Sequence, residues 1–514
     1  MRKLFTVLLL ICSVRGAFAQ AKWAEDVAPI LYNRCASCHH SGGLAPFPLI
    51  TYNEAVAYAA SIAHDVSNRI MPPWPPDPHY ARLAHERLLS NSEISTLLSW
   101  VNGNTPQGNV SAAPTPPMYN SNSQIGTADL TVTIPTYTST ATSTDMYRCF
   151  VMPTNVAANK FITTMEVIPG NGAIVHHVLV YYDTSSVAYQ LDAADPGPGY
   201  TNFGGSGSST ARLIGAWVPG SMPMYYPSGF GMQLPANAHI ILQIHYPQGS
   251  NGQADSTKVN FKLSTATLRP LFMDAVLSHG TNMTNGPLII PANTTKTFYE
   301  RYVVPVDVSV LNVAPHMHLI GRSMKVYAIK TGNDTLGLID IPEWDFHWQG
   351  SYDFRKMLHF PVGTVLEAEA FYDNTTANPE NPSNPPQLVY AGEGTTDEMM
   401  LSFFTYTAYF PGDENIVIDN SPLVDLTAAT NPIPTIDADF TLYPVPAIDQ
   451  IQLHFNKALT VNELPVQVYT MQGQLLYQWP VSLQQSDMII NVKGLSAGTY
   501  LLKAGQQCKV FSKQ

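Results

Sequence analysis

Charge, cysteine and long apolar runs are all scarce in this sequence. Only 12% of its 514 residues are charged, too few for long solvent-exposed helices, whereas 41 prolines, 33 glycines and 10% aromatics suit many short strands joined by turns. Five cysteines exclude a disulfide scaffold. Lysine and arginine nowhere cluster, and the net charge of −12 becomes about −15 once Arg2, Lys3 and Arg15 are set aside with the leader, so nucleic acid is not an expected partner. No apolar run reaches the roughly eighteen residues of a membrane-spanning helix. The basic start at Arg2 and Lys3, the apolar run from Phe5 to Val14 and the pattern Ala17-Phe18-Ala19 read as a cleavable secretory signal over 1–19. Cys12 follows Ile11, not the small residue that a lipoprotein signal uses. Length alone implies three or more domains.

What is present falls into segments. Residues 20–103 carry helical periods in WAEDVAPILYNR, TYNEAVAYAASIAHDVSNRI and SNSEISTLLSWVNG; in the last, Ser90 with Glu93 forms a capping box and Gly103 ends the helix. Residues 104–127 have no period and are rich in Pro, Asn, Ser and Thr, the composition of an extended linker. From 128 to about 432 the text becomes alternating strands, including AIVHHVLVYY, HIILQIHYP, SMKVYAIKT and MLSFFTYTAYF. Three hundred residues exceed one sandwich, so two are expected, 128–268 and 269–432. Residues 440–514 show six further short strands at the spacing of a small immunoglobulin-like sandwich. The expected fold class is mostly β and multidomain, with one small α-helical domain at the front.

The run Cys35-Ala36-Ser37-Cys38-His39 is the attachment signature of c-type haem: two thiols one helical turn apart add to the porphyrin vinyls, and the adjacent imidazole ligates iron. A structural CxxC or half of a zinc site is the competing reading, and no second CxxC follows. Met71, in the rigid segment Arg69-Ile70-Met71-Pro72-Pro73, is the expected sixth ligand, with His64 as its competitor. The segment resembles a class I cytochrome c over about 80 residues. Of the other cysteines, Cys149 and Cys508 fall in different expected domains and are read as free thiols.

Five histidines stand on apolar strands: His176, His177, His245, His316 and His318. Residues two apart share a strand face, so His316 and His318 can chelate one metal without distortion; neighbours such as His176 and His177 point to opposite faces and stay ambiguous. Imidazoles suit copper, zinc or iron, and a thioether partner favours copper.

The pieces HHVLVYY, GAWVPGSMPMYYPSGFGMQLP, LQIHYP, HMHLIGRSMKVYA, EWDFHWQGSYDF and DEMMLSFFTY, in that order over some 300 residues, resemble the copper type II, ascorbate-dependent monooxygenases, the family of peptidylglycine alpha-hydroxylating monooxygenase and dopamine beta-hydroxylase. The resemblance implies two jelly-roll-like sandwiches, each holding one copper across a solvent-filled cleft. It implies that His176, His177 and His245 hold an electron-transfer copper, and that His316, His318 and Met399 hold the copper that activates O2, with Met400 the second choice for the sulfur ligand. The implied chemistry is hydrogen abstraction from a C–H bond and insertion of one oxygen atom. Two departures stand out. Ala314 and Pro315 occupy the place where the peptide-amidating member has a basic residue, which argues against peptide amidation, and Cys149 is the only cysteine in the core.

The tail, with turns at Gly473, Gly494 and Gly498 and closing Lys509 and Lys513, resembles the C-terminal sorting domain of type IX secretion substrates. It implies passage to the surface or exterior of a Gram-negative cell, with that secretion machinery as a partner. Together these readings predict an exported monooxygenase with two coppers and one covalent haem c. Its expected partners are an organic or peptide-like substrate, O2 and an external reductant, with ascorbate or the haem supplying electrons. The alternative is a non-catalytic surface protein that carries electrons or binds copper.

Overall fold

A computed structural model of the chain describes residues 20–119, 123–332, 334–426, 440–456, 463–471, 475–482, 487–504 and 507–514. The expected leader and Gly473 lie outside them.

Residues 20–103 fold as helices around their own core. A π-turn at Trp23–Val27 runs into Ala28–Arg34; Tyr52–Ala57 and Ala59–Ser67 follow, and Asn91–Asn102 closes the unit. The second expected helix is interrupted at Tyr58, where the backbone leaves helical angles. Both Ser90 with Glu93 and Thr51 with Glu54 form complete capping boxes, each satisfying two N–H groups that a helix start leaves open. Trp23, Leu31, Ile62, Leu97 and Trp100 pack together inside. The linker departs from the expected extended spacer. Pro106 and Gln107 turn back so that their carbonyls accept the free N–H groups of Trp23 and Ala24, at 2.9 and 3.0 Å. At its far end Ser123 and Gln124 bond the carboxylate of Glu166.

The β-region is built on one long sheet that crosses the expected domain boundary. Its order is Leu130–Thr133, Lys258–Ser264, Lys160–Ile168, Phe230–Leu234, Arg269–Ser278, Leu401–Ala408, Val308–His316, Tyr352–Phe360. The parallel pairing of Arg269–Leu271 with Phe230–Met232 joins the halves. At this seam Arg269 forms a forked pair with Asp413, 2.6 and 2.7 Å, and lies over the rings of Phe230 and Phe410. A second sheet backs each half. The first holds Tyr200–Thr201, Met146–Pro153, His239–Tyr246, His177–Asp183 and Arg212–Trp217; the other holds Thr294–Val303, Val365–Asn374, Gly321–Lys330 and Asp334–Ile341. Each half has its own apolar core, centred on Phe150, Val180, Leu242 and Phe261, and on Phe298, Val313, Met324 and Phe360.

The tail forms two small antiparallel sheets over a core of Phe440, Leu453, Val468 and Phe511. Cys35, Cys38, Cys149 and Cys508 are all free thiols, and burial pushes Cys35 and Cys149 up to about 12. Among the described residues no helix is long and apolar enough to cross a membrane.

Candidate metal centre

His245 is the penultimate residue of the central strand of the first half's backing sheet, where His177 is its cross-strand partner. His176 precedes that neighbouring strand, and its N–H donates to the carbonyl of His245 at 3.0 Å. Because His176 lies before the strand begins, the alternation that would send it to the opposite face does not apply. The ligand atoms of His176, His177 and His245 consequently all lie within 4.8 Å of one another. Both ring nitrogens of His245 are buried without a hydrogen-bond partner, Nε2 standing 3.5 Å from an Asp145 oxygen, and Tyr147 stacks on the ring at 4.3 Å. Burial and the neighbouring His245 lower His176 to about 3, and burial holds His177 well below its ordinary value. His176 and His177 are therefore neutral at pH 7, the form that binds metal. Buried nitrogens of His245 with no protein partner, inside three imidazoles whose ligand atoms converge, suit a metal ion, so the trio fits copper.

The second group forms where the strand Val308–His316 ends. The His316 and His318 rings lie 5.1 Å apart. His316 Nδ1 meets Gln349 Oε1 at 2.6 Å and His318 Nδ1 meets the Asp397 carbonyl at 3.1 Å. Each acceptor fixes the ring with its proton on Nδ1 and leaves Nε2 for an ion. Burial holds His316 at about 4 and His318 at about 3. Met399 is 6% exposed, and its carbonyl accepts from the Tyr372 hydroxyl at 2.7 Å. Met400 is fully buried inside the second apolar core. Both methionines are buried, and only Met400 packs into the second apolar core.

The sequence reading passed over several residues that organise these groups. Glu398 is fully buried; one oxygen accepts from the N–H of His318 (2.9 Å) and Met399 (3.2 Å), the other from Ile320 (2.8 Å). This side chain thereby ties the histidine turn to the methionine segment; burial raises its carboxyl to about 8, and the backbone donors only partly oppose that. The loop before it is seated on the first half: Thr395 N–H donates to Asp145 at 3.0 Å, and the Tyr147 hydroxyl to the Glu393 carbonyl at 2.5 Å. Phe346, buried, stacks on His176 at 4.8 Å and meets His318 edge-on at 5.7 Å. One aromatic ring therefore touches a histidine of each group. Buried carboxylates with several donors and aromatics within EWDFHWQG were visible signals, but their partners are distant in sequence.

Residues 130–253 match the copper type II ascorbate-dependent monooxygenase N-terminal domain, and residues 275–419 match the C-terminal domain of the same enzymes. The central half of the chain belongs to that family. The monooxygenase region is 24% identical over 287 residues to a tyramine beta-hydroxylase of Caenorhabditis briggsae, covering 52% of this chain and 46% of that protein. It is 22% identical over 253 residues to the human DBH-like monooxygenase protein 1, covering 46% of this chain and 40% of the relative. The chain thus spans less than half the length of these curated relatives. Residues 441–514 match a secretion system C-terminal sorting domain. Among solved structures, the apo beta-glucuronidase 3 of Bacteroides uniformis aligns at 12% identity over 46% of this chain and 28% of that one, with a TM-score of 0.13.

At the front, Cys38 N–H and His39 N–H both return to the Cys35 carbonyl, at 3.1 and 3.0 Å, so the two thiols and the imidazole share one turn. His39 Nδ1 is held by the Phe47 carbonyl at 3.0 Å, leaving Nε2 free. Met71 is 37% exposed and lines a cavity of about 320 Å³ with Val66, Trp74 and Arg87. His64 instead pairs with Asp65 at the surface.

Proposed function

We propose that the chain is an exported copper monooxygenase that hydroxylates a C–H bond of an organic substrate with O2. In this reading His176, His177 and His245 hold one copper, and His316, His318 and Met399 hold the other. The observation that carries the reading is the pairing of two convergent histidine groups, each with unengaged ring nitrogens, on the two halves of one β-framework. Bound copper supplies the one-electron chemistry that O2 reduction and C–H oxidation require. The chain's own residues orient it: Gln349 and the Asp397 carbonyl set the tautomers of His316 and His318, Glu398 fixes the turn between them and Met399, and Phe346 touches a histidine of each group.

In the same reading Cys35 and Cys38 carry one covalent haem, His39 ligates its iron and Met71 supplies the sixth ligand. The shared turn of CASCH and the Nδ1 bond of His39 support this, and a haem so held supplies electrons in place of, or alongside, an ascorbate-like donor. The sorting tail supports export through type IX secretion, with that machinery as partner. The test begins with metal and haem analysis of purified protein: two coppers and one haem per chain are expected. Substrate-dependent O2 uptake with labelled oxygen in the product follows, and Met399→Ala abolishes that incorporation while the haem spectrum persists. Bound copper and haem without oxygen incorporation for any organic substrate class would instead leave a non-catalytic electron carrier.

A further inference from the structure

Arg87 joins three parts of the molecule. It leaves the helical unit just before the capped helix at Ser90, its Nη1 donates to the Gly220 carbonyl of the first half at 3.4 Å, and its guanidinium lies over the rings of Trp74 (5.9 Å) and Trp348 (5.3 Å), the latter from the second half. Trp348 packs so closely on Gly220 that a Cβ there would fall 2.6 Å from the indole. This half-buried cation has no carboxylate partner among the described residues, and Cys38 is within its electrostatic range. Trp348 Nε1 is likewise buried with no acceptor. A cation without a counter-ion and an indole N–H without an acceptor lie side by side near the haem-attachment turn, and an anion would satisfy both. The next residue after Trp348 is Gln349, whose side chain holds His316 at 2.6 Å.

Resting on the haem and copper reading above, we propose that Arg87 and the Trp348 indole N–H grip a haem propionate, and that this contact is the electron exit from the haem. The carboxylate supplies the missing anion, with Arg87 as donor from the helical unit and Trp348 as donor from the monooxygenase region. From there Trp348 and Gln349 lead by covalent bonds and one hydrogen bond to His316. A haem held there would supply one electron, passing from ferrous to ferric, and a copper held by His316 and His318 would take it up, passing from Cu(II) to Cu(I). An external one-electron donor restores the ferrous haem, and no proton or bond is otherwise moved.

The test uses the full chain loaded with haem and Cu(II), its haem reduced and then followed by stopped-flow absorbance without O2. Arg87→Gln and Trp348→Leu are expected to slow haem reoxidation by about tenfold or more while covalent haem, copper content and the Cu(II) EPR spectrum stay as in the parent. Arg87→Gln also lowers the haem midpoint potential, because an uncompensated propionate charge favours the ferric state, and Arg87→Lys restores most of it. Trp348→Phe, which keeps the ring and removes the N–H, shows an intermediate rate. Parent-like rates and potentials in variants that hold both cofactors overturn this inference alone; a parent chain without covalent haem overturns the haem reading and this inference with it.

Discussion

Glu300 sits inside the second sandwich with 1% of its surface exposed, and neither of its side-chain oxygens has a hydrogen-bond partner. Burial raises its carboxyl from the usual 4.5 to about 8. Between those values the folded chain keeps a proton that the unfolded chain releases, so stability falls as pH rises across that window, by roughly 3 kcal/mol at pH 7. Glu300→Met is expected to raise the melting temperature at pH 7 to 8, with the gain fading toward pH 4.5. Thermal melts across that range check it, and a gain that ignores pH would refute the assignment. Burial raises Glu398 to about 8 as well, but its oxygens are engaged by backbone donors. Glu398→Ala leaves the N–H groups of His318, Ile320 and Met399 without an acceptor, a cost of about 1–3 kcal/mol for each group left dry. Metal analysis should show the copper of His316 and His318 lost while that of the three-histidine group remains.

At the scale of elements, the seam strand Arg269–Ser278 decides how rigid the metal centre is. It pairs with Phe230–Leu234 on one side and Leu401–Ala408 on the other, so the two halves share one hydrogen-bonded sheet. Asp413, buried beneath the seam, accepts both Arg269 nitrogens, the Ser309 hydroxyl at 2.6 Å and the Phe410 N–H at 3.0 Å. Its carboxyl is consequently held down at about 2 despite burial. Arg269→Ala strands that charge and is expected to cost about 3–5 kcal/mol, read as a lower urea midpoint. In the helical unit, Ser90→Ala removes a capping box at a cost of about 1 kcal/mol. Circular dichroism melts of the full chain would show that loss in the first helical transition.

Across the whole molecule, the folded chain has two histidine groups that the unfolded chain cannot assemble, so an ion that binds them stabilises the fold by mass action. Copper at one hundred times its dissociation constant adds about 2.7 kcal/mol per site, and chelation removes it. Differential scanning of copper-loaded and chelated protein checks this, and His245→Ala should abolish part of the copper-induced gain. The sequence by itself determined the helical front with its Ser90 cap, the strand-rich middle, the small sandwich at the end and the residue types of the metal groups. Each rests on local information: a period of 3.6 or 2, a capping spacing, or a motif a few residues long. Only the tertiary structure decided that His176 and His177 can share a site, because that turns on where one strand begins. The same holds for the linker folded back on the first helix, for Phe346 against a histidine of each group, and for Arg87 against Trp348. Those contacts join residues tens to hundreds of positions apart, where no periodicity reaches and only the packing of sheets brings them together.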